Sequence, residues 1–167
     1  MEFLNSPDGA PWRDRFAGLT DAASPDGAFA TTWRAIAKAE PQAFFNAQCD
    51  YIKHSNYDPV VRRILAATGV DIDNQSLAVR NAVWSTAVQH GAAAKIVTRA
   101  IYTLKGGVAP GPDGQRALIN AIYDARAAYV RSLRAYSDPK TAQTFHDQMT
   151  RYEAERIRAL NLLSQSR

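Results

Sequence analysis

Apolar residues recur along nearly the whole chain at three- and four-residue intervals, the spacing that aligns them on one face of an α-helix. Turn clusters at 5–11 and 24–27 interrupt the pattern, and residues 12–19 between them read as a short helix. Phe29, Trp33 and Ile36 predict a helix over 28–39. Pro41 opens the next from its first turn, where a missing N–H costs nothing; it carries Phe44, Phe45, Cys49, Tyr51 and Ile52. Asp58-Pro59 joins an N-cap to a first-turn proline ahead of Val60, Val61, Ile64 and Leu65, and Gly69 is the expected stop. After a polar loop at 71–75, Ser76 caps a helix with Leu77, Val79, Val83, Trp84, Ala87 and Val88, ending at Gly91. That helix is apolar on more than one face, which predicts a central position. A helix over 92–104 follows. The run 106–114, GGVAPGPDG, reads as the clearest loop, with room for a short hairpin. Helices are then expected over 115–136 and, after a second cap-plus-proline signal at Asp138-Pro139, through Phe145, Met149, Tyr152, Ile157 and Leu160, with residues 164–167 frayed. The expected fold is all-α or nearly so, a single domain over 1–167 built around the helix that ends at Gly91.

A chain of 167 residues, 46% of them apolar, can bury one substantial core. No apolar run approaches the roughly 20 residues of a membrane span, so no membrane insertion is expected. The start, MEFLNSPDGAPW, lacks the basic and apolar regions of a signal peptide. A single cysteine, Cys49, excludes an internal disulfide and reads as a small hydrophobe on a helix. The net charge of +4 is spread over dispersed arginines without interleaved aromatics, so no nucleic-acid partner is expected. His54, His90 and His146 stand far apart with no ligand at metal spacing, and no glycine-rich phosphate loop is present. No metal or cofactor is therefore expected. Ser85 and Thr86 lie mid-helix, away from a strand-to-helix elbow, and their hydroxyls are expected to bond back to the helix backbone.

Glycoside hydrolysis needs two carboxyl groups, one of them held protonated. Glu40 sits at a helix start that favours its charged form, Glu2 at the terminus, and Glu153 and Glu155 among arginines on what reads as a solvated face. Asp50 and Asp124, each beside a tyrosine, are the weak catalytic candidates. For both, a structural cap or ion pair is the competing reading.

An ordered series of short motifs now comes together. Trp33 and Ala43-Phe44 precede Gln48 and Asp50-Tyr51-Ile52; Tyr57-Asp58-Pro59 and Ala67-Thr68-Gly69 follow; then come VWSTAVQHG at 83–91 and LINAIYDAR at 118–126. In order and spacing the set resembles the lysozyme-like, peptidoglycan-cleaving C-terminal domain of type VI secretion spike proteins and related effectors and phage enzymes. The resemblance implies a lysozyme-like helical bundle and a muramidase-like glycoside hydrolase that cuts β-1,4 bonds between amino sugars. It implies no cofactor, and peptidoglycan glycan strands as the partner, with a secretion spike or tail protein and an immunity protein as further ones. It implies synthesis in the bacterial cytoplasm and action in the periplasm or cell wall of a target cell. Family members carry their presumed acid in a segment like YES-GDPG-I followed by a glycine-rich stretch. This chain is expected to lack that N-terminal portion, which leaves a non-catalytic glycan-binding or spike-associated domain as the alternative. On the resemblance, Gln89, His90, Tyr123 and Arg126 are substrate-groove candidates, and Tyr51 and Tyr57 are sugar-stacking candidates. His90 reads equally as a cation at a helix C-terminus, and Trp84 as core.

Overall fold

The computed structural model describes residues 2–133 and 141–165, and every regular element among them is helical, with no strand. In chain order α1 (Glu2–Asn5) leads to a 3-10 helix (Ala10–Phe16), then α2 (Ala28–Ala39), α3 (Pro41–Ile52), a π turn (Lys53–Tyr57), α4 (Asp58–Thr68), α5 (Leu77–Gln89), α6 (Ala93–Thr103), α7 (Gly111–Arg131) and α8 (Ala142–Gln165). Two compact units result, residues 1–55 and 56–167. No described helix is long and apolar enough to cross a membrane.

The first unit is organised around aromatic rings. Phe3, Trp12, Phe16 and Phe44 are buried together with Leu4 and Ile36. Phe44 takes Trp12 and Trp33 edge-on at centroid distances of 5.1 and 4.8 Å, a favoured geometry for aromatic pairs. Polar groups at the margin fix the turns. Trp12 donates its indole N–H to Glu40 at 3.1 Å, and Arg15 bridges the same carboxylate at 2.6 Å. The Arg15 and Trp12 hydrogen bonds hold the Glu40 carboxyl below its usual range. Asp21 caps α2 from seven residues upstream by accepting from the backbone N–H groups of Ala28 and Phe29.

The second unit is a bundle in which α5 packs against α6, α7 and α8. Ala78, Val79, Ala82, Val83, Thr86 and Ala87 of α5 are all buried, so this helix is the central one that its apolar pattern requires. Its start is the expected cap: Ser76 accepts from the Val79 N–H. Gly69 ends α4 in the left-handed conformation, φ 71°, with its N–H on the Leu65 carbonyl, the conformation glycine adopts at least cost.

Three local expectations need correction. Asp58 does not begin α4 as a free cap, because the chain enters that helix through the π turn with Tyr57 already helical. The loop after α6 is shorter than its composition implies, since α7 starts at Gly111. Pro112 and Asp113 suit a helix's first turn through fixed φ and dipole. Ser164 and Gln165 continue α8 instead of fraying; the signal at Asp138-Pro139 lies outside the described residues.

Gly114, buried in the first turns of α7, is needed for space: a Cβ there would collide with the Ala109 carbonyl. Alanine is otherwise worth about 1 kcal/mol over glycine inside a helix. Gly114→Ala should instead destabilise by about 1–3 kcal/mol in urea unfolding. A stabilised variant would show that this approach is not fixed.

Candidate functional site

One fully buried cation organises the second unit. Arg126 of α7 has no exposed surface, yet guanidinium cannot shed its charge, so its partners must come from protein. Nη1 donates to Glu155 Oε2 of α8 at 3.0 Å. Nη2 donates to Gln89 Oε1 at 2.6 Å and to Ser85 Oγ at 3.3 Å, both on α5. Ser85 in turn donates to Glu155 Oε2 at 2.7 Å. The guanidinium lies over the rings of Tyr152 and Tyr123, 4.2 and 5.0 Å from their centroids, a contact that strengthens when the cation is desolvated. Its Nε has no hydrogen-bond partner among the described residues.

A second polar chain adjoins it. Gln148 Nε2 donates to the Tyr152 hydroxyl at 2.7 Å, which directs the phenol hydrogen at His90 Nε2, also 2.7 Å away. His90 is thereby placed as a neutral acceptor. Burial first, then the charges of Arg126 and Arg151, push its pKa down to about 4. This corrects the reading of His90 as a cation at a helix end. Burial also raises the phenols of Tyr123 and Tyr152.

The cluster borders an open pocket of about 270 Å³ lined by Asn81, Ala82, Ser85, Tyr123, Glu155 and Arg158, with Ala159 and Leu162. A larger hollow of about 460 Å³ between α6 and α7 includes four alanines in its wall. Its acidic group, Asp124, is bonded to Arg156 at 2.6 Å.

Gln89, His90, Tyr123 and Arg126 thus fall in one connected cluster, with Arg126 and Tyr123 as its buried wall. Tyr57 is elsewhere in the same unit, buried, 5.3 Å from the half-buried Trp84 ring. It donates to Asp73 at 2.8 Å, and burial raises its phenol, so it presents no open face for stacking. Tyr51 belongs to the first unit, edge-on to Phe3 at 5.7 Å, and donates to Glu2. Asp50 is exposed on α3 and Cys49 half-buried. Among the described residues no group of His, Cys, Asp and Glu could hold a metal.

Glu155, Ser85 and Tyr152 were not singled out for this cluster by pattern. Thr86 does bond back to its helix, at Ala82 O, but Ser85 serves Glu155. The available signal was helical phase: Gln148, Tyr152 and Glu155 continue to the buried Ala159 and Leu163, so a glutamate occupies the core-facing stripe of α8.

The class of protein so defined is an all-α domain with a buried ionic centre beside a small open pocket. Residues 2–156 match the family described as type VI secretion system spike protein VgrG3-like, C-terminal, and the chain belongs to that family. The type VI secretion system spike protein VgrG3 of Vibrio cholerae serotype O1 is 30% identical over 90 residues. That stretch is 54% of this chain and 8% of the relative's length.

His90 yields a pH test. Its folded pKa of about 4 lies below the 6.5 of free imidazole. As pH falls the unfolded chain takes up the proton first, so stability present above 6.5 is lost on the way down to 4. Over that window the wild type should lose up to about 3 kcal/mol more than His90→Gln, which titrates no imidazole there. Parallel pH–stability curves for the two proteins would contradict the assignment.

Proposed function

We propose that this chain is a peptidoglycan-directed domain of the muramidase-like type, carried to a target cell wall by a type VI secretion spike. Membership of the VgrG3-like C-terminal family over residues 2–156 is the observation that carries this reading. The ordered motifs from Trp33 to Arg126 agree with it, and four of the groove candidates converge on one buried cluster.

The carboxyl groups favour the binding half of that activity over the bond-breaking half. An acid catalyst must hold a proton and face the leaving oxygen. Glu40 is held by Arg15 and Trp12, Glu155 by Arg126, Arg151 and Ser85, Glu153 pairs with Arg156, and Glu2 accepts from Tyr51. Each contact serves a carboxylate as acceptor. Of the aspartate candidates, Asp124 is paired and Asp50 is exposed on a helix surface.

The expected behaviour is co-sedimentation with purified sacculi and slow muropeptide release by the chain of residues 1–167. A general acid is worth about 10²–10⁴-fold in rate, and Asp50→Asn and Asp124→Asn should each leave release unchanged. Failure to sediment with sacculi would overturn the peptidoglycan reading. Rapid release abolished by either aspartate variant would overturn the division between binding and cleavage and make that aspartate the catalytic carboxyl.

A further inference from the structure

Around the pocket beside Glu155, arginines outnumber the one carboxylate in its lining. Glu155, only 18% exposed, pairs with both Arg126, at 3.0 Å, and Arg151, at 3.3 Å. Arg158 lines the same pocket from α8 and pairs with no carboxylate among the described residues. Across from it on α5, the side-chain amide of Asn81 is exposed at the pocket rim. Between these two donors the pocket wall is apolar and small: Ala82 and Ala159 are buried, and Leu162 is half-buried. Arg158 and Asn81 are both exposed and so open to a ligand. A guanidinium with no carboxylate of its own beside an amide donor favours an anionic group such as a carboxylate, and a shallow apolar wall beside it favours a small side chain.

The volume narrows the ligand further. About 270 Å³ lies just under the roughly 300–1,000 Å³ of ordinary small-molecule pockets. That suits the end of a short peptide better than a run of sugar rings.

We propose that this pocket binds the free carboxylate end of a peptidoglycan stem peptide. Arg158 and Asn81 hold the carboxylate, Ala82, Ala159 and Leu162 receive the adjoining small side chain, and Glu155 accepts from the peptide N–H. Arg126 acts beneath, as a positioning residue: with Ser85 it fixes the Glu155 carboxylate at the pocket wall. The proposal rests on the peptidoglycan reading and adds a preference for peptide-bearing strands over bare glycan.

The test is calorimetric titration of the full chain with N-acetylmuramyl tripeptide, with the same compound amidated at its carboxyls, and with chitotetraose. Arg158→Glu should weaken the tripeptide about tenfold or more, as the loss of one charge-assisted contact does, and amidation should cost the wild type a similar factor. Lys95→Glu, the same charge change at an exposed position of α6, should leave affinity unchanged, and chitotetraose should bind no better than the amidated compound. Equal affinity of Arg158→Glu and wild type, equal weakening by Lys95→Glu, or equal binding of the amidated compound would overturn the pocket assignment. Sacculus sedimentation separates the two levels: with sedimentation intact, those results remove the pocket alone, whereas a wild type that binds neither sacculi nor tripeptide removes the peptidoglycan reading and the pocket with it.

Discussion

A guanidinium with no solvent contact must be neutralised and hydrogen-bonded by its surroundings or the fold does not close around it. Arg126 imposes that demand on three helices at once: α5 supplies Ser85 and Gln89, α8 supplies Glu155 and the Tyr152 ring, and α7 supplies the Tyr123 ring. Apolar burial along Val79, Val83, Ile119 and Ile122 provides the non-directional attraction that brings these helices together. The guanidinium supplies what apolar contacts lack, a fixed rotation and axial position for each helix. A buried ion pair is weak evidence for stability, since desolvation offsets much of its attraction. Its value here is geometric.

The arrangement propagates outward in both directions. Toward α8 and the end of α5, Tyr152 links the cation to His90, which burial first and then the nearby Arg126 charge keep neutral. Toward the pocket, Glu155 serves as the anion for Arg126 and as a wall of open space. Structural neutralisation and the proposed carboxylate recognition thus draw on the same side chain. The first unit uses a different economy: rings packed edge-on with charges only at the margin, Glu40 accepting from Trp12 while pairing with Arg15.

Helix content and the central place of α5 were legible because they depend on periodicity and local caps. Ser76 and Gly69 do what their residue types require wherever they occur. What escaped the sequence depends on neighbours distant in the chain. Asp21 caps a helix seven residues on, and the π turn removes the need for Asp58 to cap α4. Glycine and proline at 106–114 read as loop by composition, yet α7 already starts at Gly111, and glycine stands at 114 because the Ala109 backbone approaches too closely for a side chain. Among the site candidates, the aromatic residue Tyr57 carries the same label whether buried or open, so its bond to Asp73 could not be foreseen. Glu155 looked solvated beside Arg156 and Arg158, and only helical phase relative to Tyr152 and Ala159 distinguishes it.

The central claim is that Arg126 and Glu155 act as a unit whose role is positional. Urea unfolding of Arg126→Met, Glu155→Leu and the double variant tests it most directly. Glu155→Leu strands a buried cation and should cost about 3–5 kcal/mol, whereas Arg126→Met leaves Glu155 partly exposed and paired with Arg151, and should cost less. The double variant should be more stable than Glu155→Leu alone, because removing the stranded charge relieves its penalty. Additive losses, with the double variant destabilised by the sum of the two, would contradict the claim that the rest of the bundle is arranged around this pair.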